Sequence, residues 1–199
     1  MTLESHAANT SYSELVTVAL RTGMRRGELL ALSWDAIDFK AKTIFVKRSL
    51  SHTKEKGYEF KLTKNNTRRK IEVTSEVLDA LRIRFLVQQI LQEKLGNYYE
   101  DNNLVFCRED GKPMYPGTPS AWFPDFCAEH GLPKLTFHCL RHTHASQLLS
   151  TGEDISYVSK RLGHSDVSVT YKRYFHLIPL EQRESLRALE KKFKNKKLS

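Results

Sequence analysis

The sequence predicts an α+β fold that is mainly helical, with one small three-stranded antiparallel sheet. Most of the chain repeats apolar residues every three or four positions, as helices with one buried face require, whereas Thr43 to Thr74 is rich in β-branched and aromatic residues. With 199 residues, 40% of them hydrophobic, the chain can build one substantial core.

Ser13–Leu20 and Arg26–Leu32 carry helical spacing, and Gly23 breaks them apart. TIFVKR, YEFKL and RKIEVT follow as the three expected strands. Helical spacing returns from Ser75 to Leu95 through Val77, Leu78, Leu81, Phe85 and Leu91, with Gly96 as the stop. REDGKPMYPGTP reads as a loop from its glycines and prolines. Ser120–His130, His138–Ser150, Ile155–Leu162 and Val167–Tyr174 are the remaining helices, punctuated by Gly131, Gly152 and Gly163. From Leu180 to Lys197 an amphipathic helix through Leu186, Leu189 and Phe193 grades into a lysine-rich end. The expected division is a main domain over 1–179 and a tail over 180–199.

The formal net charge of +9 calls for a polyanionic partner, with nucleic acid the commonest. Cys107, Cys127 and Cys139 are odd in number and widely spaced, and the first ten residues lack the features of an export signal. The expectation is a cytoplasmic protein without a disulfide framework. No window approaches the roughly 20 apolar residues a membrane span needs, so no membrane partner is expected.

Three stretches carry chemistry. TFHCLRHTHASQLL sets His138 and Arg141 three apart, on one face of a helix, where both can converge on a small anion. LGHSDVSVTYKRYFHL places His164 after a glycine break and Tyr174 on the following helix. Lys54 to Lys70 holds seven basic and two acidic residues, and Lys54, Lys56, Lys61, Arg68 and Arg69 are the expected contacts to a phosphate backbone. The histidines and cysteine at 138–144 lack CxxC or paired-ligand spacing, so no metal site is expected; His142 and His144 read as packed histidines and Tyr171 as a packing residue.

Taken with TGMRRGELLALSWDAIDF, these motifs resemble the tyrosine recombinases, or phage-type integrases, in order and spacing over nearly the whole chain. The resemblance implies an integrase-type catalytic domain in which Tyr174 attacks a DNA phosphodiester, giving a 3′-phosphotyrosyl bond and a free 5′-hydroxyl. It makes Arg25 and Arg141 the clamp on the phosphate, adds His138 and His164 to the catalytic set, and gives Glu28 an accessory role orienting a basic partner. Forked guanidiniums suit the equatorial oxygens of the pentacoordinate state, and a phenol of pKa near 10 needs a proton acceptor such as His138 or strong local positive charge. The family takes the leaving-group proton from a lysine before the third strand. Lys64 best fits that place, but the common Pro-Lys-Thr form is missing and Lys61 stays a rival.

The implied function is site-specific recombination of double-stranded DNA, on which the protein assembles as a homo-oligomer, with no metal or ATP cofactor. Family members carry one or two DNA-binding domains ahead of this one; about a dozen residues precede the first catalytic helix here, so those domains are expected to be absent. Two rivals remain open: a type IB-like topoisomerase with the same nucleophile, and a regulator in which GEDISYVSKRLGHSDVSVTYKRY is a helix-turn-helix.

Overall fold

The computed structural model describes residues 2–62 and 68–177, apart from the side chain of His176. Lys64 and the expected tail helix lie outside the described residues. The chain divides into two compact units, Met1–His144 and Ala145–Ser199.

The first unit opens with helices α1 (Leu3–Ala7), α2 (Ser13–Thr22) and α3 (Arg26–Leu30). Gly23 ends α2 at φ +65°, a left-handed conformation that costs a residue with a Cβ, and its N–H closes on the Ala19 carbonyl. Among the described residues five strands follow: β1 (Ile37–Asp38), β2 (Thr43–Val46), β3 (Arg48–Thr53), β4 (Gly57–Leu62) and β5 (Arg69–Glu72). After them come α4 (Ser75–Leu95) and α5 (Thr118–Glu129), and α6 (Cys139–Ser150) runs across the boundary between the units.

The mainly helical α+β class holds, but the strands do not form one sheet as expected. TIFV pairs antiparallel with RKIE, setting Ile44 opposite Ile71 and Val46 opposite Arg69, and β1 supplies the third strand at Ile37↔Ile44. YEFKL belongs instead to a separate hairpin with β3, registered at Leu50↔Phe60 and Thr53↔Gly57. RSLSHT gives little local strand signal, because Leu50 is its one fully buried residue. Cross-strand bonding and the packing of Arg48 over the Phe60 ring hold it extended.

Packing fixes α3 on this hairpin. A Cβ at Gly27 would lie 2.5 Å from Ser49 Oγ and 2.8 Å from the Leu50 carbonyl oxygen, so glycine is what lets helix and strand approach. Behind them Leu29, Leu30, Ile44, Ile71, Leu78 and Leu81 are fully buried in one cluster, each contributing about 1.5–3 kcal/mol by leaving water. The helix carrying the turn to Arg25 and the strand carrying Arg69 are thus seated on a single core.

The second unit contains α7 (Ile155–Leu162) and α8 (Val167–Tyr174), both with the expected limits. Asp154 caps α7 by accepting from the Ser156 and Tyr157 N–H groups, and Asp166 caps α8 by accepting from Ser168. Among the described residues its buried core is Ala145, Leu149, Ile155, Val158, Leu162 and Tyr174.

Candidate active site

Arg25 follows the Gly23 turn in an extended conformation and is the N-cap of α3. One turn in, the Glu28 carboxylate reaches back: Oε2 accepts the Arg25 backbone N–H at 2.8 Å, and Oε1 accepts Arg25 Nη1 at 3.0 Å. Arg69 meets the same carboxylate with two parallel bonds, Nη1 to Oε1 at 3.0 Å and Nη2 to Oε2 at 2.7 Å. The exposures differ sharply: the Glu28 side chain is 2% exposed and Arg69 8%, while Arg25 is 41% exposed. Burial pushes the Glu28 carboxyl up, but the hydrogen bonds and charge of Arg69, together with the backbone bond and charge of Arg25, outweigh it and hold the group below the usual carboxylate range.

Arg25 opens onto a cavity of about 570 Å³ that it shares with Ser49, His52, Tyr115 and His138. His138, exposed just before α6, sets its ring edge-on to His142 at 4.7 Å between centroids. Arg141 is buried on α6, and its Nη1 donates to the Gly23 carbonyl at 2.7 Å. His144 is buried in the next turn, while His142 is half-buried. The first unit therefore sets Arg25 and His138 on one cavity, ties Glu28 to Arg25, and anchors Arg141 on the Gly23 turn that leads into Arg25.

The second unit holds the other two expected residues. The His164 backbone N–H bonds to the Ser159 carbonyl at 3.0 Å, and its Nδ1 lies 2.7 Å from the hydroxyl of the fully buried Thr170. That bond fixes the ring plane and ties the turn after α7 to the middle of α8. Tyr174 is 4% exposed within the unit's core, with Tyr171 packed partly buried beside it.

Lys54, Lys56, Lys61 and Arg68 are exposed on and beside the β3–β4 hairpin, as a phosphate-contacting surface would require. Arg69, expected in the same group, is the exception, because its guanidinium is buried against Glu28. Its partnership with Glu28 escaped the sequence reading: the two residues are 41 positions apart, and no local spacing announces the pair. Thr170 was also missed, although its six-residue distance from His164 across a capped helix start is compatible with such a bond. Among the described residues, no group of three or more His, Cys, Asp or Glu side chains is placed to hold a metal ion, and no helix is long and apolar enough to cross a membrane.

The model of the phage integrase family matches residues 2–180. The chain belongs to that family. The tyrosine recombinase XerC-like protein of Caldanaerobacter subterraneus is 30% identical over 192 residues, covering 90% of this chain and 49% of that protein. The ICEBs1 integrase of Bacillus subtilis is 30% identical over 173 residues, 87% of this chain and 47% of its own. The chain thus spans about half the length of these relatives. Among solved structures, the Tn1549 transposon integrase in complex with transposon right end DNA superposes with a TM-score of 0.76 at 22% identity, covering 96% of this chain and 65% of that one. XerA recombinase gives 0.66 at 24% identity, covering 89% and 62%. Both confirm an integrase-type fold for this family member.

Proposed function

We propose that residues 1–179 are the catalytic domain of a site-specific recombinase, which breaks and rejoins double-stranded DNA through a 3′-phosphotyrosyl bond to Tyr174. The observation that carries the reading is that Arg25 and His138 line one cavity while Arg141 donates to the Gly23 turn leading into Arg25, in a chain whose family match runs from residue 2 to 180. Forked cations and an imidazole beside one pocket are what a phosphodiester under nucleophilic attack requires. The solved Tn1549 relative is bound to DNA, and a net charge of +9 with exposed Lys54, Lys56, Lys61 and Arg68 suits the same partner.

In this mechanism the Tyr174 oxygen attacks phosphorus as its proton passes to an acceptor, His138 or water. Negative charge on the non-bridging oxygens is met by Arg25 and Arg141, with His164 donating alongside. The bond to the 5′ oxygen breaks as Lys64 supplies its proton. The new phosphotyrosyl ester conserves the energy of the broken phosphodiester, so the reverse steps reseal a strand when a 5′-hydroxyl attacks and Tyr174 leaves. Recombination needs two duplexes held together, and so a homo-oligomer on DNA.

Incubation with nicked suicide substrates, followed by mapping of the covalently attached residue, tests the reading. An adduct on Tyr174, formed at a defined sequence, is expected. An adduct formed without sequence preference, with relaxation of supercoiled DNA, would point to the topoisomerase alternative; DNA binding with no adduct would leave only a regulator.

A further inference from the structure

We propose that Arg69 is a positioning residue for strand cleavage, acting through Glu28 on Arg25; the inference rests on the recombinase reading above. A carboxylate as buried as Glu28 is costly unless it is paired and its lone pairs are occupied. Arg25 alone is a poor counterion, because it is 41% exposed and also lines the cavity. Arg69 is buried, takes both carboxylate oxygens at 3.0 and 2.7 Å, and comes from β5, whose register on β2 is fixed by Ile44↔Ile71 and Val46↔Arg69. A two-pronged bond fixes the plane of the carboxylate as well as its charge. Oε1 of that plane is the atom that receives Arg25 Nη1, so the orientation of the cavity-lining guanidinium is inherited from Arg69.

A residue that contacts DNA phosphates would act differently. It would add binding affinity and salt dependence, and it would have to be presented to solvent. Arg69 is 8% exposed. A residue that only pins β5 to α3 would affect every substrate alike. The two roles separate on DNA whose scissile phosphate is replaced by a neutral methylphosphonate. That linkage carries no anionic oxygen pair for Arg25 to neutralise, so a defect transmitted through Arg25 should shrink on it.

The test compares single-turnover cleavage by the unmodified chain, Arg25→Ala, Arg69→Gln and Arg69→Lys, at saturating DNA, on phosphodiester and methylphosphonate suicide substrates. On the phosphodiester, Arg69→Gln should slow cleavage by about 10²-fold or more, the size of a lost charge-stabilising contact. On the methylphosphonate its loss, like that of Arg25→Ala, should fall to a few-fold. Arg69→Lys, which keeps a cation without the fork, should lie between, and it carries the comparison alone if the glutamine variant does not fold. Equal losses on both substrates would overturn the proposal in favour of a purely structural pin. Unchanged cleavage at saturating DNA, with weaker binding and a shallower salt dependence, would overturn it in favour of a phosphate contact. Absence of any adduct from the unmodified chain would instead sink the recombinase reading.

Discussion

Arg141 donates Nη1 to the Gly23 carbonyl at 2.7 Å, so one arginine of the expected clamp braces the turn that leads into the other. Gly23 ends α2 and Arg25 begins α3, and the brace comes from a residue 118 positions away. Arg141→Ala should therefore disturb Arg25 as well as removing its own charge. It leaves a buried carbonyl with one donor fewer, a loss of about 1–3 kcal/mol. Thermal unfolding should fall accordingly, and Arg141→Lys, although still cationic, should recover only part of the stability. Full stability in Arg141→Ala would show the brace to be unimportant.

Glu28 provides a pH test. Its folded-state pKa lies below the usual carboxylate value, so its ionised form contributes stability that is fully present above the unfolded pKa, about 4.3. That contribution drains away as pH falls through the lower folded value. Unfolding free energies measured from pH 6 to 2 should show this acid-side loss, and Glu28→Gln should flatten it. At neutral pH, Glu28→Ala should cost about 3–5 kcal/mol, because Arg69 is left buried without its carboxylate. A variant with the parent's acid slope would place the titration elsewhere.

Gly27→Ala probes the seat of α3. Its methyl would meet the Leu50 carbonyl oxygen at 2.8 Å, and backbone cannot rotate aside as a side chain can. Helix and strand must part, with a loss of about 1–3 kcal/mol from overpacking, and the Arg25–Glu28 pair moves with the helix. Cleavage should drop more than DNA binding does. Normal cleavage by a folded Gly27→Ala would mean that the position of α3 is not critical.

Lys64 is tested by chemistry, since it lies outside the described residues. A thiolate leaves without protonation, its conjugate acid having a pKa of about 8.5, whereas an alkoxide does not. On DNA with sulfur at the scissile 5′ bridging position, Lys64→Ala should cleave nearly as fast as the parent, and Arg25→Ala should remain slow. Rescue of Lys61→Ala instead would move the acid to Lys61.

The elements that could be read in the sequence are those whose signal is local. α4, α7 and α8 have the expected limits because their own periodicity and stop residues, Gly96 and Gly163, encode them. α1 is too short for periodicity to show, and β1 is two residues long. β3 escaped because RSLSHT owes its strand state to pairing with β4, which also withdrew YEFKL from the three-stranded sheet. The site divides in the same way. Arg25 and Glu28 share one helical turn and are legible together, whereas the Glu28–Arg69 pair depends on where the β-hairpin returns the chain. Counting Arg69 among the phosphate contacts followed from a run of basic residues, which carries no information about which of them turns inward.

The small core of the second unit bears on how an inactive form of this protein should be made. Ala145, Leu149, Ile155, Val158 and Leu162 share a buried cluster with Tyr174, whose ring is the largest of the six side chains. Phenylalanine keeps the ring and removes only the oxygen, so Tyr174→Phe should lose the covalent adduct while amide hydrogen exchange in α7 changes less than in Tyr174→Ala. Alanine would remove the largest of these six buried side chains, at about 3–5 kcal/mol, and α7 amides should exchange faster. Two variants equally dead in a cleavage assay would then differ in kind: one keeps its fold and lacks only the phenol oxygen, the other has a loosened second unit.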